Sequence, residues 1–298
     1  MKEVVSTVEE AFRREGIGEA SNSMRTRSRG ESSILNVMHA NLSYLGRSGL
    51  KAYVSSKSGT RFVVMLFDAS TSTPLAVMGA DMLGRFRTGA ASGVATKYLY
   101  GKRSGTLALF GSGKQAFTQA LAVDAVMALE EVRVWSPNVV HRGSFVRTLQ
   151  RRGLKAKESD SPSEALNGAQ VVSTITSSRE PFLTGEMLEG ISHANVCGGN
   201  IPGHAEITTD AVGRFRTVVV DDLPQAKIEY GDLIRAAQAG EFSWGSAVEL
   251  SSIISGGLNA KGPTLFKSGG AALEDVAVAS ILYDRAKSEG GYPDFQLT

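Results

Sequence analysis

Apolar and polar positions change rhythm along the chain. In MKEVVSTVEEAFRREG, Val4, Val8 and Phe12 recur at helical spacing with charges between them, which predicts an amphipathic helix ending near Gly16. Alternation follows in SSILNV, KAYVSS and RFVVMLFDA, where Tyr53, Phe62 and Phe67 sit among β-branched residues, as half-buried antiparallel strands prefer. GADMLGRFRTGAASGVATKYLYG then carries small residues at helical spacing and predicts a tightly packed helix.

From Thr106 short apolar runs alternate with helical stretches. TLALF, VRVW, VVSTIT, HANVC, TVVVDD and TLFKS read as strands, the last of them closing the series, while AFTQALAVDAVMALE and HRGSFVRTLQRRG read as helices. SPSEAL carries a helix start, with Ser161 at the cap, Pro162 in the first turn and Glu164 three positions past the cap. This alternation predicts an α/β fold with a doubly wound parallel sheet of the Rossmann type. The closing helix, AALEDVAVASILYDRAKSEG, returns to the first part of the chain.

Composition narrows the classes. A chain of 298 residues that is 42% hydrophobic can bury a large core and suits two domains. A net charge of +2 with 21% charged residues offers no basic stripe for nucleic acid. The single cysteine, Cys197, excludes an internal disulfide and fits a reducing cytoplasm. No metal-ligand spacing occurs among the histidines and Cys197, so no metal is expected. No apolar run approaches the roughly 20 residues of a membrane helix, and the charged N-terminus does not read as a signal peptide.

The stretch from Gly111 through Ser112, Gly113, Lys114 and Gln115 to Ala116 is a G-x-G-x-x-A turn between a predicted strand and helix. In that setting the first glycine makes the turn, the second admits a pyrophosphate, and Ala116 lets helix and sheet pack closely. Such a turn also occurs in doubly wound proteins without a cofactor. The second strand should end in an acid to grip the ribose of NAD. Here Ser136 takes that place, followed by Asn138, His141 and Arg142. A cation without an acid favours NADP, the alternative being NAD bound without an acidic clamp and Arg142 on a helix face.

Over nearly its whole length the sequence resembles the ornithine cyclodeaminase/mu-crystallin family. The resemblance rests on MRTRSRGESSILNVMHA, GLKAYVSS, MLFDASTSTPLAVMGADMLGRFRTGAAS, LFGSGKQA, VVSTITSSREPFLTG, GGNIPGHAEI, VVVDDLPQAKIEYGDL and TLFKSGGAALEDVAVA, in that order. It implies a nucleotide-binding domain over 103–268, inserted into an α+β substrate-binding and dimerisation domain made of 1–102 and 269–298. It also implies a homodimer, and hydride chemistry between a nicotinamide and the α-carbon of an amino or imino acid. By the same comparison the chain begins late, lacking a short strand that members usually carry before the first helix.

The resemblance assigns roles residue by residue. Arg25 would fork onto the substrate carboxylate, Lys51 would stand beside it as a proton donor, and Arg87 would contact carboxylate or cofactor. Thr60, Thr174, Val196 and Ser268 fall on the cofactor side. His204 replaces a lysine of cyclodeaminases and would contact a ligand or cap a turn; His39 would pack or line the substrate pocket. Read without the family, Arg25 or Arg27 could be an ordinary surface residue and Lys51 a strand-edge guard. In CGGNIPGHAE, Asn200 stands where cyclodeaminases carry an aspartate. An amide orients a nitrogen but takes no proton at neutral pH. That departure favours a reductase of small imino acids over a cyclodeaminase, with alanine-dehydrogenase chemistry close by and a non-enzymatic binding protein as the third reading.

Overall fold

The computed structural model describes residues 1–256 and 259–293. The first helix, α1 (Lys2–Gly16), buries Val5, Val8, Ala11 and Phe12 along one stripe. An antiparallel sheet follows: β1 (Ala20–Asn22), β2 (Thr26–Arg29), β3 (Ser33–Leu42), β4 (Arg47–Ser56), β5 (Gly59–Asp68) and β6 (Pro74–Gly79). Its order is β1-β3-β4-β5-β6, with β2 also on β3. The strands β1, β2 and β6 escape a sequence reading because ASN and TRSR are short and polar, and PLAVMG opens on proline.

Helix α2 (Asp81–Leu99) leads into a wholly parallel sheet built from β7 (Ser104–Phe110), β8 (Ala128–Trp135), β9 (Ala156–Glu158), β10 (Val171–Thr174), β11 (His193–Val196), β12 (Thr217–Val220), β13 (Val248–Glu249) and β14 (Thr264–Lys267). Its helices are α3 (Lys114–Val126), α4 (Val139–Gln150), α5 (Pro162–Leu166), α6 (Thr209–Gly213), α7 (Leu223–Glu229), α8 (Gly231–Gln238) and α9 (Leu250–Ile254). The closing helix is α10 (Ala272–Glu289). The strand order is β13-β12-β14-β11-β10-β7-β8-β9, so the winding reverses between β7 and β10. A crevice opens at such a reversal beyond the carboxyl ends of the strands. The α/β expectation holds. Two details differ. The MALE segment is not the end of α3, because Ala128 and Leu129 pair with Ser104 and Gly105; sheet pairing overrides local helical spacing. TLFKS is last in sequence but lies between β11 and β12, which explains its fully buried run.

The inner face of the antiparallel sheet has two uses. Ala40, Leu42, Val64 and Leu66 are buried in one core with α1, α2 and α10, and Gly49 lies against Val276 of α10. Farther along the same strands, Asn36, Met38, Lys51 and Phe62 face a cavity. On the outer face Leu35, Val54, Val63 and Val77 remain exposed. The two sheets are tied by α2 crossing α3. A Cβ on Gly93 would stand 2.8 Å from the carbonyl oxygen of Ala122, and one on Gly89 would meet that of Thr118 still more closely, so the backbones touch. This is the physical reason for the small-residue stripe.

Candidate active site

The carboxyl ends of β7, β8, β10, β11 and β14, the upper inner face of the antiparallel sheet and the first turns of α2 enclose a cavity of about 1050 Å³. One of its sides is the GSGKQA turn. Gly111 has φ +113°, and a Cβ there would approach the carbonyl oxygen of Ile175 to 2.7 Å, so the turn requires glycine. Gly113 differs. It caps α3 with φ −82°, and a Cβ there would meet nothing within 4 Å. The space is open on the cavity side, and no side chain caps the 13-residue helix behind it. Free amides, a helix dipole and unobstructed backbone suit a diphosphate. Ser112 and Ser136, at the ends of adjacent strands, share a hydroxyl hydrogen bond of 2.9 Å on this wall.

The opposite wall is cationic, and four of its cations are held from behind. Lys51 Nζ donates to Asp275 Oδ1 at 2.8 Å, and Arg87 Nε donates to that same oxygen at 3.1 Å. Arg87 also donates through Nη1 to Glu274 Oε2 at 3.0 Å. Arg25 pairs with Glu229 and donates to the carbonyls of Gly269 and Gly270 at 2.8 and 3.2 Å. Arg27 pairs with the second oxygen of Glu229, and donates to Asn36 Oδ1 and the Asn200 carbonyl at 3.0 Å each. Burial pulls the Lys51 ammonium down to about 8; Asp275 opposes that, and the Arg87 and Arg25 charges add to it. The fork of Arg25 is therefore taken. What remains unengaged are Arg25 Nε, which is buried and unpartnered among the described residues, both N–H bonds of Arg87 Nη2 and the other N–H bonds of Lys51. A carboxylate entering here would meet donors from more than one of these residues.

A buried ionic network behind the CGGN loop completes the site. Glu206 accepts from Gly198 N at 2.7 Å, Thr176 N at 2.7 Å and Thr174 Oγ1 at 2.6 Å. Lys267 Nζ donates to the Gly198 carbonyl at 2.7 Å and lies 2.6 Å from Asp232 Oδ2. Asp232 Oδ1 in turn accepts from Glu206 N and Ile207 N. Both peptide groups of Gly198 are thus fixed, two residues before Asn200. Across the crevice Asp221 takes the amides of Gly269 and Gly270 at 3.0 and 2.7 Å and the Ser268 hydroxyl at 2.8 Å, turning their carbonyls toward Arg25.

The sequence profile of the Ornithine cyclodeaminase/mu-crystallin family matches residues 1–290. The chain belongs to this family. Alanine dehydrogenase of Archaeoglobus fulgidus is 33% identical over 302 residues, covering 97% of this chain and 92% of that protein. Thermococcus litoralis Δ1-pyrroline-2-carboxylate reductase, solved in complex with NADH and L-proline, superposes with a TM-score of 0.92 at 30% identity, covering 99% and 96% of the two chains. An archaeal alanine dehydrogenase dimer with bound NAD gives 0.91 at 31%, covering 99% and 94%.

In this ornithine cyclodeaminase/mu-crystallin family member, Arg25, Lys51, Thr60, Arg87, Gly111, Ser112, Gly113, Lys114, Gln115, Ser136, Asn138, Asn200 and Ser268 all line the one cavity. Ala116 lies fully buried beneath the turn, as a packing residue. Five expected contacts fall elsewhere. His39 is exposed on the opposite sheet face, because strand parity sends Asn36 and Met38 inward and His39 outward. Arg142 is turned away onto Glu158 and Asp160 at 3.2 and 3.1 Å, so it is no free phosphate clamp. Thr174 serves Glu206, Val196 is wholly buried, and His204 stands off the lining as a half-buried turn residue. The sequence reading missed Arg27 and Asn36. Parity along SILNVMHA was the available signal, since Asn36 is a polar residue on the buried phase of the strand. Glu206, Asp232, Lys267, Glu229 and Asp275 carried no local signal; their partners lie far along the chain. Among the described residues no helix is long and apolar enough to cross a membrane.

Proposed function

We propose that this chain is an NAD(P)H-dependent reductase of small imino acids. It would reduce C2 of a cyclic ketimine such as Δ1-pyrroline-2-carboxylate or Δ1-piperideine-2-carboxylate, giving L-proline or L-pipecolate. The observation that carries this reading is the charge pattern of the cavity. Arg25, Lys51 and Arg87 offer leftover donors to one carboxylate, while the sole lining carboxylate among the described residues, Asp81, is paired with Arg85. A diamino acid would bring a second ammonium to a cavity with no unpaired carboxylate among the described residues. A planar imine with one carboxylate matches better.

A nicotinamide dinucleotide would supply the hydride. The residues present fit it: Gly113 leaves the approach open, and the amides at the start of α3 and Lys114 would hold the diphosphate. The Ser112–Ser136 pair would face the ribose. With Arg142 engaged by two carboxylates, NADH is the cofactor we favour. Lys51 would give the imine nitrogen its proton, so C=N gains one hydride at carbon and one proton at nitrogen. Reductive amination of pyruvate, the alanine-dehydrogenase direction, uses the same steps after the imine forms. The exposed Leu35, Val54, Val63 and Val77 support a homodimer through the outer sheet face. Residues 1–102 and 269–298 would then form the substrate and dimerisation unit and 103–268 the nucleotide unit.

The test is a panel of cyclic imines, pyruvate with ammonia, and ornithine, followed at 340 nm with NADH and NADPH in parallel. Oxidation of the nicotinamide by a cyclic imine supports the reading. Ammonia release from ornithine without absorbance change would replace it with a cyclodeaminase.

A further inference from the structure

One carboxylate oxygen joins two of the three site cations. Asp275 Oδ1 accepts from Lys51 Nζ and from Arg87 Nε, and Asp275 is itself wholly buried in the first turn of α10. Its other oxygen has no partner among the described residues. Lys51 comes from β4, Arg87 from α2 and Asp275 from α10, so three elements remote in sequence converge on one atom. Gly84 closes the space on the α2 side, where a Cβ would stand 3.0 Å from Nζ. The Phe62 ring of β5 lies 5.2 Å from Nζ. The ammonium is therefore boxed in with one direction open.

We infer that Asp275 is the positioning residue of the reaction, holding Lys51 charged and fixing its distance from Arg87. This inference rests on the reductase reading given above. The groups that face Lys51 are Asp275 from α10, Arg87 from α2, and Arg25 from the segment between β1 and β2, the last already paired with Glu229. Glu274, the neighbour of Asp275, bonds Arg87 instead. Of these, Asp275 favours the ammonium, while Arg87, Arg25 and burial oppose it. The anion that favours the ammonium and the guanidinium that opposes it meet at one oxygen, which gives the arrangement its test. Removing the anion and removing the guanidinium must move Lys51 in opposite directions.

The experiment compares the wild type with Asp275→Asn, Asp275→Glu and Arg87→Met in two ways. The first is the pH profile of kcat/KM with a cyclic imine and NADH. The second is a 13C NMR titration of the lysine Cε of Lys51 in the nucleotide-free protein, assigned with Lys51→Met. The wild-type alkaline limb and the NMR midpoint are expected near 8. Asp275→Asn moves both to lower pH by about one unit or more, a roughly tenfold loss of kcat/KM on the alkaline side. Asp275→Glu restores most of the shift, and Arg87→Met moves the midpoint upward. The imine's own titration is common to all variants and cancels. Midpoints unmoved by Asp275→Asn, or moved the same way by both charge removals, overturn the inference. If Asp275→Asn does not accumulate as folded protein, Arg87→Met alone decides, and an unmoved midpoint there refutes it. A wild type inactive on every imine overturns the reductase reading instead, and the NMR midpoints still judge Asp275.

Discussion

Replacing Lys267 by methionine tests the buried network behind the CGGN loop. Lys267 and Asp232 are both 0% exposed in their side chains, at 2.6 Å, and Lys267 also supplies the donor for the Gly198 carbonyl. The Asp232 contact is a charge contact more than an aligned hydrogen bond, since Oδ2 has no hydrogen-bond partner among the described residues. Methionine fills much of the same space but leaves that carboxylate uncompensated. Breaking a buried pair from one side costs about 3–5 kcal/mol. At roughly 2 °C per kcal/mol for a chain of this size, Tm falls by about 6–10 °C. Acidity modulates the loss. Burial raises the Glu206 carboxyl above its usual range and Lys267 works against that rise, so without Lys267 it rises further. A carboxyl with a raised folded-state pKa binds its proton more tightly when folded, so its cost is full above that pKa and fades as pH falls through it. The deficit of Lys267→Met is therefore larger at pH 8 than at pH 5.5. Adding Asp232→Asn keeps the Oδ1 acceptor while removing the stranded charge, and recovers part of the loss, a non-additivity that independent sites do not show. Calorimetric melts of the wild type, both single variants and the double variant provide the check. A Tm change under about 2 °C, or strictly additive losses without pH dependence, refutes the reasoning.

Four further outcomes follow from the geometry. Gly113→Ala leaves Tm within about 2 °C, because its Cβ meets nothing within 4 Å, yet weakens NADH binding about tenfold or more in a fluorescence titration. Gly111→Ala does the reverse, losing about 1–3 kcal/mol of stability to a φ of +113° and the contact with Ile175, measured in urea. Arg142→Leu changes the ratio of kcat/KM for NADPH and NADH by less than about threefold, as its charge is already engaged and discrimination of a 2′-phosphate needs a free bidentate cation. Val54→Lys with Val77→Glu, both on the exposed outer sheet face, yields monomers by light scattering.

Local rules read well wherever the chain answers to its own neighbours. The helix α1, the GSGKQA turn and the Ser161 cap, whose hydroxyl accepts from Glu164 N at 3.1 Å, depend on spacing within a few residues. The cations Arg25, Lys51 and Arg87 needed the family resemblance, since nothing local distinguishes them from surface charges. What stayed hidden depends on partners far away. Asp275 meets Lys51 from 224 positions along the chain, and Glu229 meets Arg25 from 204. Arg142 misled for the same reason: its neighbours in sequence suggest a free cation, while Glu158 and Asp160 arrive from beyond α4. His39 misled because one step along a strand exchanges the pocket for the outer surface.

The contact of α2 with α3 sets a limit on how this enzyme can change. Arg87 precedes Gly89 by two residues on α2, and Gly113 opens the helix that Gly89 and Gly93 press against through Thr118 and Ala122. With backbone seated on backbone, the span from the Arg87 guanidinium to the GSGKQA turn behaves as a fixed ruler. Neither helix can slide without a collision of main-chain atoms. Change in the size of the cavity must therefore come from the facing side, where the long Arg27 side chain bridges Asn36 and the Asn200 carbonyl.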